Sequence, residues 1–287
     1  MTKVARPKPH PLAVPRKPQG QATRGKTAQN RLRRVDNFLV LYDPGLIRRR
    51  TGDFRHAFFV DLGFGEEATT SLESVRCLRR LNPTLPVLGV EIDPERVANA
   101  LPCAGDGVDF RLGGFNVPLL TNEQGQQETV RAIRAFNVLR QYDQSQVDDA
   151  YCQMISSILP GGLLIEGTSD PRGSLWVANI VRRSTTGEIS WYPEWLVFST
   201  NFRTAFNPAA FQAILPKNYI HQMISGQPIY AFFDAWKQAA RHTISMSSWG
   251  NRAWFSAAAD WLAQSGMTVC ITKRWLNRGY LLVKIEP

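Results

Sequence analysis

The chain is short of cysteine, and none of what it has is paired by spacing. Cys77, Cys103, Cys152 and Cys270 are scattered through 287 residues and form no C-x-x-C pair. A zinc knuckle or a disulfide framework is therefore disfavoured, and the four read as small core residues of a protein kept in a reducing compartment. The four histidines (His10, His56, His221 and His242) show neither H-E-x-x-H nor H-x-H spacing, so a metal enzyme is not expected. Long apolar runs are also missing. No stretch approaches the roughly 18 consecutive apolar residues of a membrane helix, and the N-terminus has no apolar signal core. The expectation is a cytoplasmic protein with no membrane and no metal partner.

Acid is absent from the first 34 residues. Ten of the 34 Lys and Arg residues lie there, leaving 24 against 24 acids in the remainder, so the net charge of +10 belongs to this segment. It is rich in Pro, Gly and Gln and poor in large apolar side chains. Such a composition cannot repay the entropy of ordering, which predicts a disordered basic tail over residues 1–30. Tails of this kind hold phosphate backbones through counterion release, so nucleic acid is a candidate partner for residues 1–34. A solubilising extension with no specific partner is the equal alternative.

Beyond the tail, 44% hydrophobic composition suits one large α/β domain over residues 31–287. Residues 31–54 read as a helical lead-in. "HAFFVDLG" reads as a buried strand, followed from Glu66 by helical spacing at Ala68, Leu72, Val75, Leu78 and Leu81. Glu66 and Glu67 are expected in the first turn of that helix, where the dipole favours acids, and Asn82-Pro83 closes it. "PVLGVEID" is a second strand, and Asp93-Pro94-Glu95 is a helix start with Asp93 as cap. "VDFRLGGFN" and "ETVRAIRAFNVL" supply two more strands. "SQVDDAYCQMISSIL" is a helix ended by Pro160-Gly161-Gly162, and "LLIEGTSD" is a fifth strand. About five alternations of strand and helix over 55–170 predict βαβ units on a parallel sheet. Residues 171–287 hold all eight tryptophans; "EWLVFSTNF" reads as a strand, "NPAAFQAILPK" and "FFDAWKQAARH" as helices, and "TVCITKRWLNRGYLLVKIEP" as two strands about a tight turn.

The chemistry centres on Asp61-Leu62-Gly63-Phe64-Gly65, where a buried strand leaves through an acid and two glycines. In open α/β sheets ligands bind beyond the carboxyl ends of the strands. Glycine there allows a sharp turn with positive φ and close approach of a ligand to bare backbone. A dinucleotide site would want a third glycine where Ala68 stands, and pyrophosphate would meet Glu66 and Glu67. A nucleotide-dependent oxidoreductase is therefore the weaker reading.

"VDLGFG", followed by "VLGVEID" and later by "SSILPGGLLIEGTSD", resembles the motif order of class I S-adenosylmethionine-dependent methyltransferases. The resemblance extends to an uncharacterised bacterial methyltransferase-like group sharing "NVLRQY" and "PGGLLIEGT". It implies a Rossmann-like, doubly wound, mostly parallel seven-stranded sheet with an antiparallel C-terminal strand. It also implies S-adenosyl-L-methionine as cofactor and methyl transfer to an unknown acceptor. On that resemblance Gly63 and Gly65 give close backbone approach to the amino-acid end, and Asp61 attracts its ammonium. Glu91, with Ile92 beside it, accepts both ribose hydroxyls; a carboxylate suits a diol because it offers lone pairs and no donor.

Many members carry an acid after the third strand to meet the adenine amino group. This chain has "LGGFNVP" there, so Asn116 takes that role through its amide oxygen, and Phe115 lies against the ring; turn and core roles are the alternative. Asn137 and Tyr142 are the candidates for the methyl-transfer pocket. Glu166, expected at the end of the fifth strand, is a candidate base but is better read as a loop acid, while Asp143 and Asp148 read as caps. The Asn/Asp-Pro-Pro-aromatic motif of nucleic-acid amine methylases is absent. Trp191, Tyr192 and Trp195 are better read as packing than as an acceptor pocket. A non-catalytic nucleic-acid- or ribosome-associated protein with a retained cofactor pocket is the second hypothesis.

Overall fold

A computed structural model describes residues 18–21, 28–186 and 189–285. The lead-in forms α1 (Arg33–Tyr42) and the short α2 (Pro44–Arg48), whose cap Asp43 accepts from the Leu46 amide. Five strands and three helices follow: β1 (Phe58–Leu62), α3 (Thr69–Leu78), β2 (Val87–Glu91), α4 (Pro94–Ala100), β3 (Val108–Leu112), β4 (Val130–Phe136), α5 (Val147–Ser157) and β5 (Ile158–Ser169), so the expected alternation lacks a helix between β3 and β4. Strands β1, β2 and β4 are buried nearly throughout, as expected of parallel strands covered on both faces. The Asp93 side chain caps α4 by accepting from the Glu95 and Arg96 amides. Asp143 does so in a capping box with Gln146 just before α5, and Asp148 sits in the first turn of that helix.

The sheet has nine strands, not seven, in the order β3-β2-β1-β4-β5-β6-β7-β9-β8. Strands β3 to β5 are parallel. From β5 onward every pairing is antiparallel, through β6 (Leu175–Arg183), β7 (Trp191–Thr200), β8 (Val269–Cys270) and β9 (Tyr280–Val283). The single antiparallel strand expected is thus four. The reason is connection length. A parallel crossover needs about a dozen residues or more, whereas Asp170 to Ser174 is a tight turn, closed by Asp170 accepting from the Ser174 amide. The chain can only fold straight back.

There are three further differences. The Pro160-Gly161-Gly162 segment does not follow the helix but lies inside β5, and α5 ends at Ser157. The two C-terminal strands are joined through a one-turn helix rather than a tight turn. Of the segment expected to be disordered, residues 18–21 are seated on the domain, and so are residues 28–30, where the Asn30 amide donates to Glu73. The rest of the predicted tail, residues 1–17 and 22–27, lies outside the described residues.

Two apolar layers cover the antiparallel half. On one face Phe38 of α1 packs edge-on against Trp176 and Tyr280. On the other lie α6 (Lys217–Ile220), α7 (Pro228–His242) and α8 (Asn251–Gln264), with α9 (Lys273–Leu276) joining β8 to β9. Trp236 of α7 is fully buried there, stacked on Phe211 and against Phe198 of β7. Trp191 packs beside Tyr151 and Trp195 against the α1 layer, while Tyr192 is about half exposed. Among the described residues no helix is long and apolar enough to cross a membrane, and no group of three or more potential ligands could hold a metal.

Strand β4 carries two fully buried arginines, which hydrophobic patterning does not anticipate. Arg131 meets no carboxylate among the described residues. Its guanidinium donates to the carbonyls of Ala57, Leu46, Ile47, Arg49 and Phe54, tying the lead-in to the start of the sheet. Burial lowers its pKa to about 10, and the neighbouring Arg49 adds to that. Replacing Arg131 by Met is expected to leave those carbonyls without a donor and to lower the unfolding free energy by about 3 kcal/mol or more, read from urea melts.

Candidate functional site

The strand order reverses between β1 and β4, and the cleft beyond their carboxyl ends is the expected ligand position. The glycine turn is built as its sequence requires. Gly63 and Gly65 have φ of 73° and 89°, a region side chains rarely adopt. The Gly63 amide donates to the Val90 carbonyl at 2.7 Å, and the Gly65 amide donates to Glu91 Oε2 at 3.0 Å. The tips of β1 and β2 are thereby locked together. Glu91 is buried; its other oxygen accepts from the Ile92 amide at 2.9 Å and from the Asp93 amide at 3.4 Å, and Arg96 Nη1 lies 3.7 Å from Oε2.

Asp61 does not face this cleft with a free carboxylate. Its Oδ2 accepts from the Thr70 and Ser71 hydroxyls, both at 2.8 Å, and its Oδ1 is 2.8 Å from Arg134 Nη2. Arg134 reaches a second buried acid, Asp36 of α1, at 2.5 Å, and Ser74 donates to that acid at 2.9 Å. The ammonium-attracting role that the resemblance assigns to Asp61 is thus replaced by an internal ion pair beneath the turn. The same network explains α3. Its buried face is Thr70, Ser71, Ser74, Cys77 and Leu78, whereas the expected apolar residues Leu72 and Val75 are only half-buried. The helix starts at Thr69, so Glu66 and Glu67 precede its first turn and are exposed. Small hydroxyls inside a helical pattern are the signal that marks such a polar seam.

The cleft itself is lined by Gly63, Glu91, Ile92, Gly114, Phe115 and Tyr142, with Gln19 to Gln21 lying in it. Phe115 and Tyr142 rings meet at 5.1 Å. Asn116 lies just outside, on the neighbouring groove, where its Oδ1 accepts from the Gln19 amide at 3.0 Å. Burial raises the Tyr142 phenol, and its bond to Gln21 backbone pulls part of the way back. A larger groove of about 1060 Å³ runs alongside, past Arg111 and Gln153, and shares only Gln19 and Gly113 with the cleft. Neither the glycine turn nor Glu91 reaches that groove, so the site is the smaller cleft.

Asn137 and Tyr142 are not brought together as one pocket. Asn137, with φ 61°, follows β4 and exchanges hydrogen bonds with Ser169 at the end of β5; Arg31 reaches the same Ser169 hydroxyl at 3.0 Å. Tyr142 belongs to the cleft on the Phe115 side. Glu166 lies three residues inside β5 rather than at its end. It is fully buried, accepting from Tyr151 at 2.9 Å and Asn179 at 3.2 Å. The residues that sequence reading missed are Asp36, Thr70, Ser71 and Arg134 beneath the turn, Gly114 in the cleft, and Gln19 to Gln21 within it.

No family model matches this chain, and no curated protein does. Among solved structures, three resemble part of this chain. A cyclopropane synthase from Mycobacterium tuberculosis is 16% identical, covering 45% of this chain and 42% of that one, with a TM-score of 0.30. An amino-demethyl-riboflavin dimethyltransferase from Streptomyces davawensis is 18% identical over 45% and 36%, also at 0.30. A protein-L-isoaspartate O-methyltransferase from Plasmodium falciparum, solved with S-adenosyl-L-homocysteine, is 13% identical over 55% and 68%, at 0.32. The chain spans less than half the length of the first two. Likenesses this weak leave ligand and reaction to be read from the site itself.

Two outcomes check the electrostatics. Arg134→Met strands two buried carboxylates and is expected to cost about 3–5 kcal/mol in urea unfolding. Burial raises Glu166 to about 7, with the Tyr151 and Asn179 bonds opposing. Its folded carboxyl holds the proton to higher pH than the unfolded one, so the stability it contributes is full in acid and is lost as pH rises through 7. Glu166→Gln has no such loss. Relative to the native chain, its unfolding free energy is expected to gain roughly 2 kcal/mol between pH 5 and pH 8.

Proposed function

We propose that the chain binds S-adenosyl-L-methionine in the cleft at the tips of β1, β2 and β3 and transfers its methyl group to an acceptor. The observation that carries this is the closed contact between the glycine turn and Glu91, the Gly65 amide donating to the carboxylate across 26 residues of chain. Donors and acceptors around the cleft fit the group. Gly63 offers bare backbone at positive φ, Glu91 offers a carboxylate for a diol, and the Phe115 amide and Asn116 Oδ1 stand as a donor beside an acceptor. Phe115 and Ile92 supply apolar surface to its lining. When bound, this cofactor supplies a methyl group made electrophilic by its sulfonium.

The chain's own part is positioning and exclusion of water. The Arg134 ion pair holds the end of β1 and the turn in place, and Glu91 fixes the nucleoside by its ribose. Glu166 is not expected to act as a base, since both Tyr151 and Asn179 enclose it. Asn137 and Ser169, bonded to each other beyond β4 and β5, are the groups placed to orient an acceptor. The acceptor's nucleophile would then react without strong proton abstraction by the protein. Nothing among the described residues favours a nucleic-acid-binding reading over this one.

Calorimetry with S-adenosylhomocysteine tests the proposal. Micromolar or tighter binding to the native chain is expected, falling about 100-fold in Glu91→Ala, the loss of two charge-assisted hydrogen bonds. Equal binding by the variant, or tighter binding of NADH, would overturn it.

A further inference from the structure

The residues that fill the cleft come from this chain's own N-terminal segment. Three residues, Gln19 to Gln21, lie across it as a strap, with Pro18 leading into them. The Gln19 carbonyl accepts from the Phe115 amide at 3.0 Å, and the Gln19 amide donates to Asn116 Oδ1 at 3.0 Å. One residue therefore presents an acceptor and a donor side by side to a donor and an acceptor. An adenine edge presents the same pair, a ring nitrogen that accepts beside an amino group that donates. The Gln21 amide donates to the Tyr142 hydroxyl, and the Gln21 carbonyl accepts from Gln141 Nε2 at 2.8 Å.

The fit requires glycine on both sides. Gly20 has φ 143°, and a Cβ on it would lie 2.8 Å from the Tyr142 hydroxyl and 3.3 Å from Ile92. A Cβ on Gly114 would lie 1.9 Å from the Gln19 carbonyl oxygen. With the strap in place the cleft keeps only about 20 Å³ of free space, room for a single water. A nucleoside cannot enter beside it.

We propose that residues 19–21 are an intrasteric occupant of the nucleoside end of the cleft, so that cofactor binding requires the strap to leave. This rests on the cofactor reading above. The strap is held by a few backbone hydrogen bonds and no buried apolar side chain. Each such bond is modest in net terms and is opposed by the entropy of ordering the segment, so the closed state is favoured without being locked. A cleft closed about nine-tenths of the time binds its ligand about tenfold more weakly than an open one.

The test uses the full chain and its Gly20→Val variant, whose branched side chain cannot take the φ of Gly20 or the space before Tyr142. S-adenosylhomocysteine affinity is measured by calorimetry, and amide hydrogen exchange is followed at residues 19–21 with and without the nucleoside. The expected result is about tenfold tighter binding by Gly20→Val, together with faster exchange at 19–21 in the native chain once the nucleoside is added. Equal affinities overturn the strap and leave the cofactor reading standing. Weaker binding by the variant, or slower exchange at 19–21 with the nucleoside, makes the segment a clasp over the ligand and also overturns it. If neither protein binds while 19–21 still exchange slowly, the cofactor reading itself fails, and the proposed competition fails with it.

Discussion

Everything at the cleft depends on one buried guanidinium. Arg134 sits in the middle of the central strand β4, about 1% exposed, and divides its donors between Asp61 at the end of β1 and Asp36 on α1. Burial pushes Asp36 up to about 6, with Arg134 and Ser74 opposing and Asp61 adding to the rise. The same two carboxylates outweigh burial for Arg134 and hold it above its ordinary value. Two acids around one base in a dry interior are tolerable only because Thr70, Ser71 and Ser74 supply further donors. The strand end, the turn after it and two helices are therefore set by one polar network, and the glycines inherit its rigidity.

That constraint divides the molecule by function. The parallel half carries the turn, Glu91 and the Phe115-Asn116 corner at the tips of adjacent strands. The antiparallel half contributes no residue to the lining of that cleft; it provides a broad aromatic core around Trp236 and a wall beyond β5. The hairpin at Asp170–Ser174 brings the end of β5 against Arg31, whose carbonyl passes so close to Gly173 that a Cβ there would be 2.0 Å away. Described residues of the N-terminal segment lie at two places along the carboxyl ends of the sheet: Arg31 meets Ser169 beside Asn137, and Gln19 to Gln21 lie in the cleft.

Much of the parallel half was legible in residue order. All five of its strands were expected, β1 and β2 as apolar runs, and Asp93-Pro94-Glu95 announced the cap of α4 as observed. What was not legible followed from partners distant in sequence. Asp61 reads as a ligand-facing acid until Arg134, 73 residues later, is placed beside it. The polar face of α3 reads as an accident until Asp36 and Asp61 lie beneath it. Strand β6 follows β5 after a turn too short for a helix, which only the pairing itself makes into a change of direction. Tail composition argued for disorder because it lacks apolar side chains, yet Gln19 to Gln21 are held by backbone groups, which composition does not count.

The sequence by itself determined the alternation of strands and helices, the glycine turn and the acid at the end of β2, since these depend on local periodicity and on backbone angles that few residues adopt. Only the tertiary structure decided which carboxylates face the cleft and which are neutralised beneath it, because that depends on where one guanidinium lands. It also decided what fills the cleft, since a hydrogen-bonding edge on a peptide is visible only when something complementary is set opposite.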